Sequence, residues 1–267
     1  MIPRVGYKLY FLSRRSGIGR TSSNLVRLSK LTLNEIRVTA QRDQYVRDCG
    51  RTDADPAKIV WVPPNAIRYE TTTYFGGQLD EYGQVSGGKW DLVRTKFTER
   101  MEFRSLQRHF QEGVEWEQTS YYIHIESIIK SGGQFRGLTS MSDVGQFFDH
   151  LDELHHSIGR DGYQSQEQLD QAMENPQTGP GCSGTEQMDE IGVNIARDGR
   201  LLWQNHGQHR LCIAKLLGVD AVPVHVCTRH EAWQRTRDQI RMDEPTPEQL
   251  EADYSDHPDL FDLFEAN

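Results

Sequence analysis

The chain has 267 residues, 30 Lys and Arg against 39 Asp and Glu, a formal net charge of -9, and 36% hydrophobic residues. That length supports one large domain or two small ones around a sizeable core, and the composition is that of a polar globular protein. No run of about 18 apolar residues offers a membrane span, four scattered cysteines do not make a disulfide scaffold, and an acidic body disfavours DNA as a partner. The expectation is a reducing, cytoplasmic setting with no membrane contact.

The charge is unevenly spread. Residues before Arg51 are basic and hold only Glu35, Asp43 and Asp48 as acids, whereas the end carries Asp243, Glu244, Glu248, Glu251, Asp253, Asp256, Asp259, Asp262 and Glu265. The first 34 residues lack any acid, as transit peptides do, but they equally suit a solvated basic arm. Leu25, Leu28, Leu31 and Leu33 suggest one short helix within it. We divide the chain into a basic segment at 1–56, a folded domain at 57–242 with a helical insertion at about 89–145, and an acidic tail at 243–267.

Ile59-Val60-Trp61-Val62 is a short apolar run stopped by Pro63-Pro64, a predicted strand, with Ile67 opening the next element. Phe103, Leu106 and Phe110 recur at helical spacing, as do Tyr121, Tyr122, Ile125, Ile128 and Ile129 before Gly132-Gly133. Val144, Phe147, Phe148, Leu151, Leu154 and Ile158 predict a third helix over about 143–158, with Gly162 as its stop. Residues 164–188 are polar and read as a surface excursion. Ile191, Val193 and Ile195 alternate with small or polar residues, which predicts a half-buried strand. Asp198-Gly199 then predicts a type I′ hairpin turn, and Leu201-Leu202-Trp203 the returning strand. A helix is predicted from Gln208 to Leu217, closed by Gly218. Val222 to Val226 is the next strand, and Pro223 suggests that it starts at a sheet edge. Together these elements predict a mixed α/β (α+β) fold, a small mixed sheet with helices around it.

The stretch Gly207-Gln208-His209-Arg210 has the design of an anion site. Backbone N–H groups at a helix start point outward and the helix dipole favours negative charge there. Glycine permits close approach, arginine donates two parallel hydrogen bonds to phosphate oxygens, and histidine adds a donor, with a charge when protonated. The same pattern also describes a helix start that faces solvent.

The hairpin Arg197-Asp198-Gly199-Arg200-Leu201-Leu202, the box Gly207-Gln208-His209-Arg210-Leu211, the helix residues Ala214-Lys215-Leu216-Leu217-Gly218-Val219 and the strand Val222-Pro223-Val224 together resemble the ParB/sulfiredoxin superfamily. The clear likeness covers about 35 residues, and a looser one reaches back to about 57. The resemblance implies a ParB/sulfiredoxin-like fold in which Gly207, Gln208, His209 and Arg210 line the phosphates of a nucleotide, CTP or ATP/ADP, with Mg²⁺. Sulfiredoxin carries a catalytic Cys where this chain has Gln208, which argues against that activity. Partition ParB proteins continue into a helix-turn-helix region, and only about 40 residues follow Val226 here. Kinase relatives use a carboxylate near the entry strand as base, and Glu70 is the nearest by position.

Asp189-Glu190 are paired carboxylates ahead of a strand, candidates for catalysis and for holding Mg²⁺ beside a nucleotide, or else a solvated strand start. His206, His209 and Cys212, with Cys227 and His230, show a three-residue spacing that zinc ligands can have, but no CxxC pair accompanies them. Adjacent His155-His156 chelate poorly, and read as one half-buried and one exposed helix residue. Arg229, His230 and Trp233 form a trio suited to a base or sugar, or to core packing. The reaction these residues imply is phosphoryl transfer from a nucleotide to a small-molecule acceptor. The alternatives are a nucleotide-gated binding module without turnover, and a ParB-like DNA-binding or nuclease protein, which the charge disfavours.

Overall fold

The structure is a computed structural model and describes residues 58–71, 83–92, 94–166, 190–204, 206–243 and 256–264, with the single positions 54, 168, 169 and 254. The basic segment up to 50, the greater part of the polar excursion at 164–188, and Asp189 lie outside the described residues.

The fold is mixed α/β. Six strands, β1 (Ile59–Val62), β2 (Tyr69–Glu70), β3 (Gln84–Ser86), β4 (Ile191–Ile195), β5 (Leu201–Trp203) and β6 (Val222–His230), form one sheet. Their order is β1-β6-β4-β5-β2, with β3 also paired to β6. β6 is antiparallel to β1 but parallel to β4, and β5 is antiparallel to β4 but parallel to β2. In β1, Val60 and Val62 turn inward while Trp61 stays 45% exposed, the alternation of an edge strand.

Two strand expectations are corrected. β4 is buried at every residue rather than on one face. Its polar positions are paired within the sheet: Gly192 lies opposite His225, and Asn194 Oδ1 accepts the Thr228 backbone N–H at 3.1 Å, across a bulge between Val193 and Asn194. β6 is not an edge strand that ends near Val226. It runs to His230 between β1 and β4, and Pro223, opposite Trp61, occupies its second position, where the ladder has only begun.

The predicted hairpin between β4 and β5 forms, but with a different turn. Ala196 and Arg200 bracket a three-residue loop, in which the Gly199 N–H bonds the Ala196 carbonyl at 3.0 Å and the Ala196 N–H bonds the Arg200 carbonyl at 2.9 Å. Gly199 has φ 81°, and Asp198 is not left-handed. A three-residue hairpin needs one left-handed residue, not the two of type I′. Glycine is required there twice over, since a Cβ would lie 2.8 Å from the Trp233 ring.

The helices are α1 (Met101–Glu112), α2 (Ser120–Lys130), α3 (Met141–Asp161), α4 (Gln208–Leu217) and α5 (Glu231–Asp243). α1 and α2, with 3-10 turns at Trp90–Leu92, Phe97–Glu99 and Trp116–Gln118, occupy most of the stretch 89–145. α3 begins two residues before the expected start at 143, because Ser140 and Asp143 form a reciprocal capping box. α4 packs against α1 and α3, and its Leu211, Cys212, Ile213 and Ala214 are fully buried in the core with Ile191, Val193, Val224 and Tyr121. The burial of these apolar faces drives the assembly of the layer.

The acidic C-terminal stretch is not all tail. A 3-10 segment at Pro258–Leu263 docks on β1 and α5 through Asp259, which is 1% exposed. Arg229 grips its carboxylate at 3.0 and 2.5 Å, Trp233 Nε1 donates to it at 2.9 Å, and Arg237 reaches the Asp259 carbonyl and the Asp262 carboxylate. Burial alone would raise the Asp259 carboxyl, but the Arg229 and Arg237 charges hold it down to about 2. The trio considered for a base or sugar is therefore engaged within the protein: Arg229 and Trp233 hold Asp259, while His230 Nε2 donates to the Gly88 carbonyl, 3.1 Å away.

Removing one partner of such a buried pair leaves the other charge uncompensated. Asp259→Ala is expected to lower the unfolding free energy by about 3–5 kcal/mol. Urea unfolding at pH 7 measures this, and a change below about 1 kcal/mol would show that the segment is only loosely docked.

Candidate functional site

The chain leaves β5 at Trp203, rounds the end of the sheet through Gln204 and His206, and enters α4 at Gly207. Gly207 is left-handed, with φ 65°, and a Cβ on it would fall 2.7 Å from Ile191 Cγ1 and 2.8 Å from Ile191 Cα. Only glycine lets this turn press so closely on β4. The close approach expected of a phosphate is thus made, on that side, by the protein's own strand. Gly207 offers no capping side chain, and the first bond of the helix runs from the Leu211 N–H to the Gly207 carbonyl at 2.9 Å. The amides of Gln208, His209 and Arg210 precede it and have no partner within the helix.

Successive residues of a helical turn point about 100° apart, so the box fans out in three directions. Gln208 is 4% exposed, and its Oε1 accepts from Arg136 Nη2 at 3.0 Å. Its amide nitrogen makes no hydrogen bond of acceptable geometry, although the side chain lies near enough to Glu102 to help hold that carboxyl down. His209 turns inward, where its Nε2 meets the Tyr121 hydroxyl at 3.0 Å and its ring lies edge-on to Phe147. Arg210 Nη1 stands 3.4 Å from Glu190 Oε2, long for a charge-assisted bond.

The candidate carboxylates fare differently. Glu190 is fully buried; its Oε1 accepts the Gln166 N–H at 2.6 Å and its Oε2 faces Arg210. Both oxygens are turned to protein donors, so Glu190 fits a partner of Arg210 and does not fit an open Mg²⁺ ligand. Glu70, at the end of β2, is bonded by Arg100 Nη1, and Arg100 Nη2 donates to Glu102 at 3.1 Å. The Arg100 guanidinium also sits 4.7 Å above the Trp203 ring. Burial alone would raise the Glu102 carboxyl, but its own backbone N–H and the Arg100 charge hold it below the usual range. Glu70 is thereby linked to the box through Arg100, Glu102 and Gln208, although 137 positions separate Glu70 from Gly207 in the sequence.

Four residues of this corner were not singled out as site residues from the sequence: Arg100, Glu102, Tyr121 and Arg136. They lie just before α1, on α1, on α2 and in the turn after α2, and only Tyr121 belonged to a recognised pattern, as a core position of its helix. Arg136-Gly137 is the one available signal, a basic residue beside a glycine at a loop. Burial, followed by the Arg136 charge, drives His209 down to about 4, so the ring is neutral near pH 7 and supplies a hydrogen bond rather than a charge.

The zinc spacing does not assemble. His209 is bound to Tyr121, Cys212 is enclosed in the core with its thiol pushed up by burial, and no group of three metal-ligating side chains occurs among the described residues. His155 is half-buried and stacks on Phe110 at 3.8 Å, while His156 is exposed. Two shallow hollows of about 510 and 350 Å³ lie beside α3 and α1, and neither is lined by the box.

Comparison of the chain with protein-family models, with curated proteins and with solved structures finds no match in any of the three.

A histidine kept neutral by the fold makes stability depend on pH with a definite sign. Its folded value is near 4 and its unfolded value near 6.5. As pH falls from about 6.5 toward about 4, the unfolded chain takes up a proton that the folded chain refuses, and stability declines. His209→Gln is expected to flatten this part of the profile. Thermal unfolding of both proteins between about pH 4.5 and 7.5 measures it; parallel profiles would show that His209 titrates normally.

Proposed function

We propose that the corner at the start of α4 binds the phosphates of a nucleotide, and that the protein transfers a phosphoryl group from it to a small acceptor. The observation that carries this reading is the hydrogen bond from Arg136 to Gln208, the first residue of α4, with Arg100 held nearby on Glu102, whose carboxyl lies beside Gln208. Three amides ahead of the first helical bond, a helix dipole and guanidinium groups are the groups that anion recognition requires. The likeness of Gly207 to Arg210 to the phosphate box of the ParB/sulfiredoxin superfamily points the same way. In this scheme the first-turn amides and Arg210 hold phosphate oxygens, and Tyr121 fixes His209 as a neutral donor or acceptor beside them. Glu70 is the carboxylate that orients the acceptor once Arg100 turns from it to the phosphates. No step is routed through a metal at Glu190.

A second reading, a nucleotide-gated binding module without turnover, is favoured by one observation. Glu70 and Glu190 are both engaged by arginines, so neither stands ready as a base. DNA is disfavoured, because the phosphate backbone would meet an acidic body.

The test is calorimetric titration of the full chain with CTP, ATP, ADP and GTP at low salt, with and without Mg²⁺, followed by a phosphate-transfer assay on the preferred nucleotide. Arg210 cannot simply be removed, since Glu190 would be left buried and charged. The double variant Arg210→Met/Glu190→Gln removes both charges and keeps their volumes. We expect it to bind at least about tenfold more weakly, and Glu70→Gln to bind normally but lose turnover. Binding without turnover in the wild type selects the module reading. No binding of any nucleotide by the wild type overturns both.

A further inference from the structure

Between α2 and α3 the chain reverses at Phe135–Leu138, where the two end residues exchange both backbone hydrogen bonds, at 3.1 and 2.8 Å. The central residues, Arg136 and Gly137, have φ of 48° and 86°. Two successive left-handed residues in a two-residue loop make a type I′ turn. Gly137 takes that conformation freely. Arg136 does not, because its Cβ crowds the backbone carbonyl there; among the described residues it is the one non-glycine residue with positive φ. Asn, Asp or Gly would occupy the position with less strain.

The strained residue is also the one that reaches the box. Its guanidinium crosses to Gln208, 72 residues on, and donates one hydrogen bond to Oε1. A guanidinium has five N–H donors, and the Arg136 residue is exposed, so the rest of the fork is open to a ligand. The holder is itself unusual: Gln208 is 4% exposed, and its buried amide nitrogen lacks a hydrogen bond of good geometry. Gln208 is the first residue of α4, so it fixes Arg136 beside the helix start, within a side chain's reach of the first-turn amides. The positive charge is felt there, since Arg136 is the largest influence after burial that disfavours protonation of His209. Strain at one residue, a planar donor fork and a buried amide meet at the end of a helix that favours anions.

We propose that Arg136 is the arm that grips the terminal phosphate of a nucleoside polyphosphate whose inner phosphates lie on the first turn of α4. The inference rests on the nucleotide-phosphate reading of the corner given above. A terminal phosphate presents three oxygens and the highest charge of the chain, and the two-pronged guanidinium matches it where an ammonium does not. Arg136 therefore sets the preferred length of the phosphate chain, triphosphate over monophosphate.

The experiment titrates the full chain with a nucleoside triphosphate, the matching monophosphate and inorganic tripolyphosphate, for the wild type, Arg136→Gly and Arg136→Lys. Arg136→Gly is expected to weaken triphosphate and tripolyphosphate binding about tenfold or more, and to leave monophosphate binding within about twofold. Arg136→Lys restores only part of the loss. The melting temperature of Arg136→Gly stays level or rises, since glycine relieves the turn, and this separates lost contact from lost fold. Unchanged triphosphate affinity in Arg136→Gly overturns this inference and leaves the site reading standing. An equal loss for all three ligands also overturns it, because Arg136 would then act only by propping Gln208. No binding by the wild type overturns the inference together with the reading beneath it.

Discussion

The contact of Gly207 with Ile191 sets the geometry of the whole corner. β4 lies inside the sheet, and the turn out of β5 passes so close to it that a Cβ on Gly207 would lie 2.8 Å from Ile191 Cα. That fixes where α4 begins, and the pitch of the helix then sends Gln208, His209 and Arg210 toward three different parts of the molecule. Each meets a partner from an element distant in sequence: Arg136 after α2, Tyr121 on α2, and Glu190 before β4. The box is less a free-standing loop than the point where the sheet, the insertion and α3 are tied together.

The charges at this corner are arranged in near balance. Arg100 is shared between Glu70 and Glu102, and Arg210 faces Glu190, while Arg136 is met by a neutral amide. Buried or half-buried ions need such partners, since an uncompensated charge in low dielectric is costly. On the function proposed above, an anion arriving at α4 would compete with carboxylates already in place at two arginines and would meet open donors at the third. Affinity at such a site depends on exchange as well as on attraction, and on the number of negative charges the ligand brings.

Two polar clusters of different character occupy different ends of the sheet. At the far end of β6, Arg229, Arg237 and Trp233 close around Asp259 and pin the C-terminal segment over β1 and α5. There the geometry is tight and the side chains are almost wholly buried. At the α4 end Gln208 and Glu190 are buried, but Arg100 and Arg210 are half-buried and Arg136 is exposed, the Arg210 pairing is long, and Arg136 sits on a strained turn. The contrast follows from solvent access: a pair sealed from water gains from close geometry, whereas a surface that receives a ligand keeps donors in reserve.

The sequence by itself determined the local elements. Apolar spacing located the helices later found as α1 to α4, the Pro63-Pro64 stop closed β1, and the Asp198-Gly199 pair located a hairpin. It also singled out Gly207 to Arg210, because glycine before basic residues at a helix start has a physical meaning without any partner; Glu70 was reached only through the resemblance to kinase relatives. Spacing could not tell a two-residue turn from a three-residue one, nor an edge strand from an interior one at Pro223, since pairing partners decide both. The conversion of Arg229 from ligand candidate to anchor of Asp259, and of Glu190 from metal candidate to partner of Arg210, was decided by tertiary structure alone. So was the arrival of Arg100, Glu102, Tyr121 and Arg136 at the box. Those side chains form a group only because α1 and α3 pack on α4 and α2 packs on α1 and α3, which brings their polar ends to the first turn of α4.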